Sequence, residues 1–155
     1  GDRTIFFDFL PMDLGTVRNY GIKISVYTVP GQVHYNETRK LVLRGADGVV
    51  FVADSLHVRK SHNTESLSNL ADNLSEAGGE IAKMPLVIQY NKRDLKESGT
   101  SVMSIEELEH DLNPDGKLPA FPAAALLGYG VKETFKNICM LTVQNVCRQM
   151  FDGKT

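Results

Sequence analysis

The run Leu86-Val87-Ile88 is short, uncharged and rich in β-branched side chains, and Val49-Val50-Phe51-Val52-Ala53 is a second run of the same kind. Runs of this length suit strands covered on both faces of a parallel sheet. Parallel neighbours need long crossover connections, and helical patterns fill the intervals between these runs. From residue 63 to residue 77, Leu67, Leu70, Ala71 and Leu74 share one helical face, and Gly78-Gly79 ends the pattern. Ser104-Ile105-Glu106-Glu107 has the form of a capping box and opens a short helix through Asp111. Asn113-Pro114-Asp115-Gly116 reads as a turn, and Phe121 to Ala124 as a last strand. Gly128-Tyr129-Gly130 leads into a final helix whose buried face should hold Val131, Phe135, Ile138, Cys139, Val143, Val146 and Cys147. Strands alternating with helices predict an α/β fold with a mostly parallel sheet.

The amino-terminal part follows a different rule. Thr4 to Leu10 reads as a strand, Pro11 to Gly21 as a turn region, and Ile22 to Thr28 as a strand alternating with period two. Together they predict an antiparallel hairpin at a sheet edge. Val29-Pro30-Gly31-Gln32 breaks the pattern, and His34 to Arg44 carries a short helix ending near Gly45. At 155 residues the chain fits one domain. A net charge of −2 gives no electrostatic reason to expect a nucleic-acid partner or an anionic membrane. The longest apolar runs are far too short to span a bilayer. Cys139 and Cys147 lie about 12 Å apart along one helix, too far to bridge, and read as core thiols of a reducing compartment, the cytoplasm. No histidine or cysteine shows metal-ligand spacing, and no Gly-x-Ser-x-Gly elbow occurs, so zinc modules and serine hydrolases of that type are set aside.

Function in such a sheet is expected at the carboxyl ends of the strands. There Leu86–Tyr90 runs into Asn91-Lys92-Arg93-Asp94. An ionised Asp94 can accept two hydrogen bonds from the N1–H and exocyclic amine of guanine, a donor pair that adenine lacks. Asn91 can bond a base edge and brace neighbouring loops, and the Lys92 stem can lie across a ring face. A solvated turn accounts for the same four residues. Gly31 would let backbone N–H groups approach a phosphate, and Gln32 has the amide needed to orient a water; alone, an ordinary Pro-Gly turn explains the segment better. Thr4 could offer a hydroxyl to a metal ion and Arg3 could stabilise phosphoryl charge, or the two could simply start a strand. Ala124-Ala125 is small enough to let backbone N–H groups reach a base carbonyl, or it is merely the approach to a helix. Asp54-Ser55 could make polar contacts near a phosphate, but capping for the segment after its strand explains the pair better.

The order of these segments resembles the later motifs of a Ras-like GTPase: Thr4, Gly31-Gln32, Asn91-Lys92-x-Asp94, then Ala124-Ala125. The segments Asp2–Pro11, Tyr27–Val33, Gly48–Ser55 and Val87–Leu95 are similar to those of the MglA-type bacterial small GTPases of gliding motility and cell polarity. The resemblance implies a P-loop NTPase (Ras-like) G domain, binding GTP or GDP with Mg²⁺ and hydrolysing GTP. It implies Gln32 as the water-positioning residue, Arg3 as an arginine finger acting in cis, and Thr4 as sensor of the γ-phosphate and Mg²⁺. Gly31 would approach the phosphate; Asn91, Lys92 and Asp94 would read guanine, with Ala124 and the Ala125 N–H at the base oxygen. The implied partner is a roadblock/LC7 GTPase-activating protein of the MglB type. Thr28 stands where the second switch usually has Asp, and cannot act as an ionised partner of a metal site.

The sequence contains no Gly-x-x-x-x-Gly-Lys-[Ser/Thr] segment. The expectation is therefore a small-GTPase domain over residues 1–155 that lacks its first strand, phosphate loop and following helix, and that binds GTP weakly by itself. A rival of another class is a non-enzymatic pseudo-GTPase that acts as a scaffold for a roadblock-type partner. An Arf- or Rab-like trafficking GTPase is a further rival, against which the Pro30 loop and the Phe6–Pro11 segment argue.

Overall fold

The computed structural model describes residues 9–31, 35–79 and 81–151, which fall into two units, 1–46 and 47–155. The first unit begins with the antiparallel hairpin of β1 (Phe9–Val17) and β2 (Tyr20–Tyr27). The expected turn at 11–21 is corrected here. β1 runs straight through Pro11, which pairs with Ser25, and the chain reverses only at Arg18-Asn19. Both reversal residues have positive φ, 49° and 66°, the two-residue geometry that matches the twist of the strands it joins. The register slips once between Asp13 and Thr16, where Gly15 takes a φ of 88° and donates its N–H to Asp13 Oδ1 at 2.8 Å. Proline and glycine thus mark a bulged strand here rather than its end. The stretch 4–8 of the expected first strand lies outside the described residues.

Helix α1 (Asn36–Leu43) follows and buries Arg39 and Leu43. The Arg39 guanidinium donates to the Pro30 carbonyl at 2.9 Å, and burial lowers its pKa from the ordinary value. A buried cation is costly unless it is hydrogen-bonded, so this contact pins the chain beside Gly31.

The second unit is the α/β part. Its strands are β3 (Val49–Asp54), β4 (Leu86–Asn91) and β5 (Ala120–Pro122), parallel and in that order. Its helices are α2 (Lys60–Glu76), α3 (Ile105–Leu112) and α4 (Val131–Phe151). β4 is the central strand, and Leu86, Val87, Ile88, Gln89 and Tyr90 are all buried, as their composition predicts. Full burial of each aliphatic side chain contributes about 1.5–3 kcal/mol. Successive residues of a strand face opposite ways. Gln89 accordingly reaches α4, donating to Thr134 Oγ1 at 3.0 Å, while Tyr90 faces Glu109 on α3. Burial first, and then the Glu109 carboxylate, raise the pKa of the Tyr90 phenol. Helices therefore cover β4 on both faces. β3 departs from the expected full burial, since Val52 is 53% exposed.

The helix boundaries follow their local signals. Ser104 Oγ accepts the Glu107 N–H at 3.1 Å and Glu107 Oε2 accepts the Ser104 N–H at 2.8 Å, completing the capping box. The second of these bonds is the main reason the Glu107 carboxyl sits below its usual pKa. Gly78, at φ 82°, stops α2, and the Gly79 N–H turns back to the Leu74 carbonyl at 2.9 Å. The apolar face expected for α4 needs correction: Val131 is 40% exposed, Thr134 and Ile138 are buried, and Cys139 and Cys147 are half-buried free thiols. Thr134 displaces Val131 because its hydroxyl has two partners, the Gln89 amide and the Gly130 carbonyl at 2.6 Å. The helix thus packs through a polar contact that apolar periodicity does not reveal.

Candidate functional site

β3 and β4 end together, with Asp54 opposite Asn91. The Ser55 N–H donates to the Asn91 carbonyl at 3.1 Å, one residue beyond the last register pair. Past Asn91 the backbone turns sharply, since Lys92 adopts a left-handed conformation, φ 67° and ψ 30°. A short 3-10 turn, Arg93–Lys96, follows and carries Asp94. Three contacts hold this turn to the segment after β5. The Arg93 N–H donates to the Ala123 carbonyl at 3.0 Å, the Ala123 N–H to the Tyr90 carbonyl at 2.7 Å, and the Ala125 N–H to Asn91 Oδ1 at 2.9 Å. The Arg93 guanidinium also donates to the Met103 carbonyl at 2.6 Å. Asn91 is therefore the brace between the two loops.

Asn91, Lys92, Asp94, Leu95 and Leu126 line one open cleft of about 240 Å³. Among the described residues, none donates a hydrogen bond to the Asp94 carboxylate, which leaves both oxygens available to a ligand in the cleft. Lys92 turns its ammonium away to Asp54 Oδ2, 2.8 Å distant, so the aliphatic stem borders the cleft. Ala124 is buried just behind, its N–H bonded to the Tyr129 carbonyl at 3.0 Å. A flat ring with an aliphatic lysine stem on one side, an apolar leucine nearby and a free carboxylate at its edge satisfies this donor and acceptor set.

Of the sequence-selected residues, Asn91, Lys92, Asp94, Ala124 and Ala125 are brought together in the second unit. Gly31 belongs to the first unit, exposed and next to the Pro30 carbonyl that Arg39 holds. Arg3, Thr4 and Gln32 lie outside the described residues. Three residues outside the sequence-selected set also shape these surroundings. Leu126, 90% exposed, gave no signal beyond its place after Ala125. Buried Arg39 lies within the expected short helix, whose pattern carries no sign of its contact with the Pro30 carbonyl. Asp54, expected as a cap or a polar contact near a phosphate, does accept the Leu56 N–H on Oδ1 at 3.0 Å, but its other oxygen holds Lys92. Two opposite charges at the ends of adjacent strands were the available signal.

Residues 10–142 match the model of the ADP-ribosylation factor family. Over 142 residues, 92% of this chain and 70% of the relative, the sequence is 49% identical to the mutual gliding-motility protein MglA of Myxococcus xanthus. The chain belongs to the MglA-type small Ras-like GTPases. More distantly similar proteins, 26% and 27% identical, are a putative ras-related protein Rab-5B of Dictyostelium discoideum and the human ADP-ribosylation factor-like protein 4C. The chain spans 63% and 66% of their respective lengths. The α/β architecture with its parallel sheet and antiparallel hairpin is that of this GTP-hydrolysing family. Among the described residues no helix is long and apolar enough to cross a membrane, and no group of three His, Cys, Asp or Glu side chains could hold a metal ion.

Proposed function

We propose that the protein is a GTP-binding and GTP-hydrolysing switch of the MglA type, cytoplasmic and acting in cell polarity or gliding motility. Residues 1–155 belong to one small-GTPase domain in this reading, and the family match running across both units supports it. The observation that carries the reading is the Asp94 carboxylate, without a donor among the described residues, at a cleft bordered by the Lys92 stem. Guanine offers that carboxylate two N–H groups. Asn91 holds the loop of Ala124 and Ala125 against the same cleft, and the Ala125 N–H is shared between Asn91 Oδ1 and the base oxygen when a nucleotide binds. Gly31 approaches the γ-phosphate, Gln32 orients the attacking water, and Arg3 offsets charge on the phosphoryl group. Thr4 and the phosphates would hold Mg²⁺, which would supply charge neutralisation there. A homodimeric roadblock/LC7 protein of the MglB type is the partner that places Gln32 and Arg3.

Competition against labelled GDP on the intact protein tests the base reading. GTP should displace the label and ATP should not; equal displacement by both would refute it. The hydrolytic assignment has its own test. Gln32→Ala should lower partner-stimulated GTP turnover by roughly tenfold or more while GDP affinity stays unchanged. Undiminished turnover would remove Gln32 from the site.

A further inference from the structure

We infer that Asp54 is a positioning residue for base recognition, holding Lys92 by its ammonium so that the lysine stem forms a fixed side of the base cleft. This inference rests on the guanine reading above and extends it to a residue on a different strand. Four observations carry it. The Asp54 side chain is only 18% exposed, and its Oδ2 lies 2.8 Å from Lys92 Nζ. Its Oδ1 is already committed to the Leu56 N–H, which fixes the plane of the carboxylate. Its backbone is clamped from both sides by the buried Asn63: the Asp54 N–H donates to Asn63 Oδ1 at 3.1 Å, and the Asn63 amide donates to the Asp54 carbonyl at 2.8 Å. Finally, Asp54 faces Asn91 in the β3–β4 register, so the anchor is built into the same sheet edge as the base motif.

The chemistry follows from what a lysine costs to immobilise. Its four-carbon stem has many rotamers, and a ligand would otherwise have to remove that entropy on binding. The backbone of Lys92 stands at φ 67°, a left-handed conformation that L residues rarely adopt, so its direction needs a tether. A charge-assisted bond to a rigidly held carboxylate provides that tether before the nucleotide arrives. Arg59, with its Nε 4.0 Å from the same Oδ2, adds a second cation but at a distance where it neither competes for the bond nor replaces it. Lys92 is about half exposed, so solvent screening keeps the effect moderate.

The test uses the intact protein loaded with labelled GDP. Asp54→Asn keeps an acceptor for the Leu56 N–H and removes the anionic partner of Lys92. It should speed GDP release about three- to tenfold, because the stem then swings away from the base. Lys92→Met, which keeps an unbranched stem without the charge, should also speed release, and adding Asp54→Asn to it should change nothing more. Asp54→Ser, whose hydroxyl can likewise accept from Leu56, gives the same comparison should the amide variant fold poorly. Wild-type release from both Asp54 variants would overturn the inference. So would effects of Asp54 and Lys92 that simply add, since Asp54 would then act by another route. Failure of the guanine reading looks different: the unmodified protein would not prefer GDP to ADP, and both statements would fall together.

Discussion

Asp94→Asn is expected to cost the intact protein roughly 100- to 1000-fold in affinity for guanine nucleotides, measured by displacement of labelled GDP. Each hydrogen bond to an ionised acceptor contributes about 1.5–3 kcal/mol, and guanine directs two N–H groups at the one carboxylate. The asparagine keeps one oxygen acceptor but replaces the other with an NH₂ donor facing the exocyclic amine, donor against donor. Xanthine carries an oxygen where guanine carries that amine. The variant should therefore recover affinity for xanthosine diphosphate while losing it for GDP. Adenine nucleotides should gain little, since they lack the N1–H. The fold should be unaffected, because Asp94 is half-buried at the cleft and its carboxylate accepts from no described residue. A variant that still prefers GDP over xanthosine diphosphate would remove Asp94 from base reading.

The largest effect on stability is expected at Gly130. Its φ is +75°, and an added Cβ would be driven into the Pro122 carbonyl oxygen while meeting Ala123 Cα at 2.9 Å. These are backbone atoms of β5 and its following loop, so they cannot rotate aside as a side chain could. The Gly130 carbonyl also accepts from both the Thr134 N–H, at 3.2 Å, and the Thr134 hydroxyl. Any displacement thus reaches the buried Gln89–Thr134 contact between β4 and α4. Left-handed backbone costs an alanine about 1–2 kcal/mol, and overpacking adds roughly 1–3 kcal/mol. Gly130→Ala should therefore destabilise the protein by about 3 kcal/mol, seen as a fall of roughly 1–2 M in the urea midpoint. Gly128 provides the contrast: its φ is also 75°, but nothing lies within 4 Å of an added Cβ. Gly128→Ala should cost only the backbone strain, about 1 kcal/mol. Equal losses at the two positions would mean that close approach at Gly130 does not matter. The two parts of the site are linked here, because the Ala123–Ala125 loop that Gly130 presses against is the one braced by Asn91.

Much of this was legible in the residues because the determinants are local. An uncharged β-branched run has few solutions other than a buried strand, and β4 is buried along Leu86–Tyr90. The Ser104–Glu107 capping box needs only four consecutive residues, and both of its hydrogen bonds form. The Asn91–Asp94 tetrad sits at a strand's carboxyl end because the run before it defines that end. Where the reading failed, the competing effect was not local. Pro11 suggested a turn, yet a proline can pair on one side of a hairpin strand, and Arg18-Asn19 reversed the chain without a glycine to announce it. Val131 matched the apolar period of α4, yet Thr134 won the interior through the Gln89 amide, a partner 45 residues away in sequence.

The sequence by itself determined the fold class, the place of the Asn91–Asp94 tetrad and its resemblance to the Ras-like GTPases, since each depends on composition and spacing along a few residues. Only the tertiary structure decided what surrounds that tetrad. The Ala125 N–H lies 34 residues from the Asn91 oxygen that it meets, and Asp54 lies 38 residues from Lys92. Parallel pairing of β3, β4 and β5 brings these groups to one edge. Hydrogen bonds of 2.8–2.9 Å then make the choice that spacing alone leaves open.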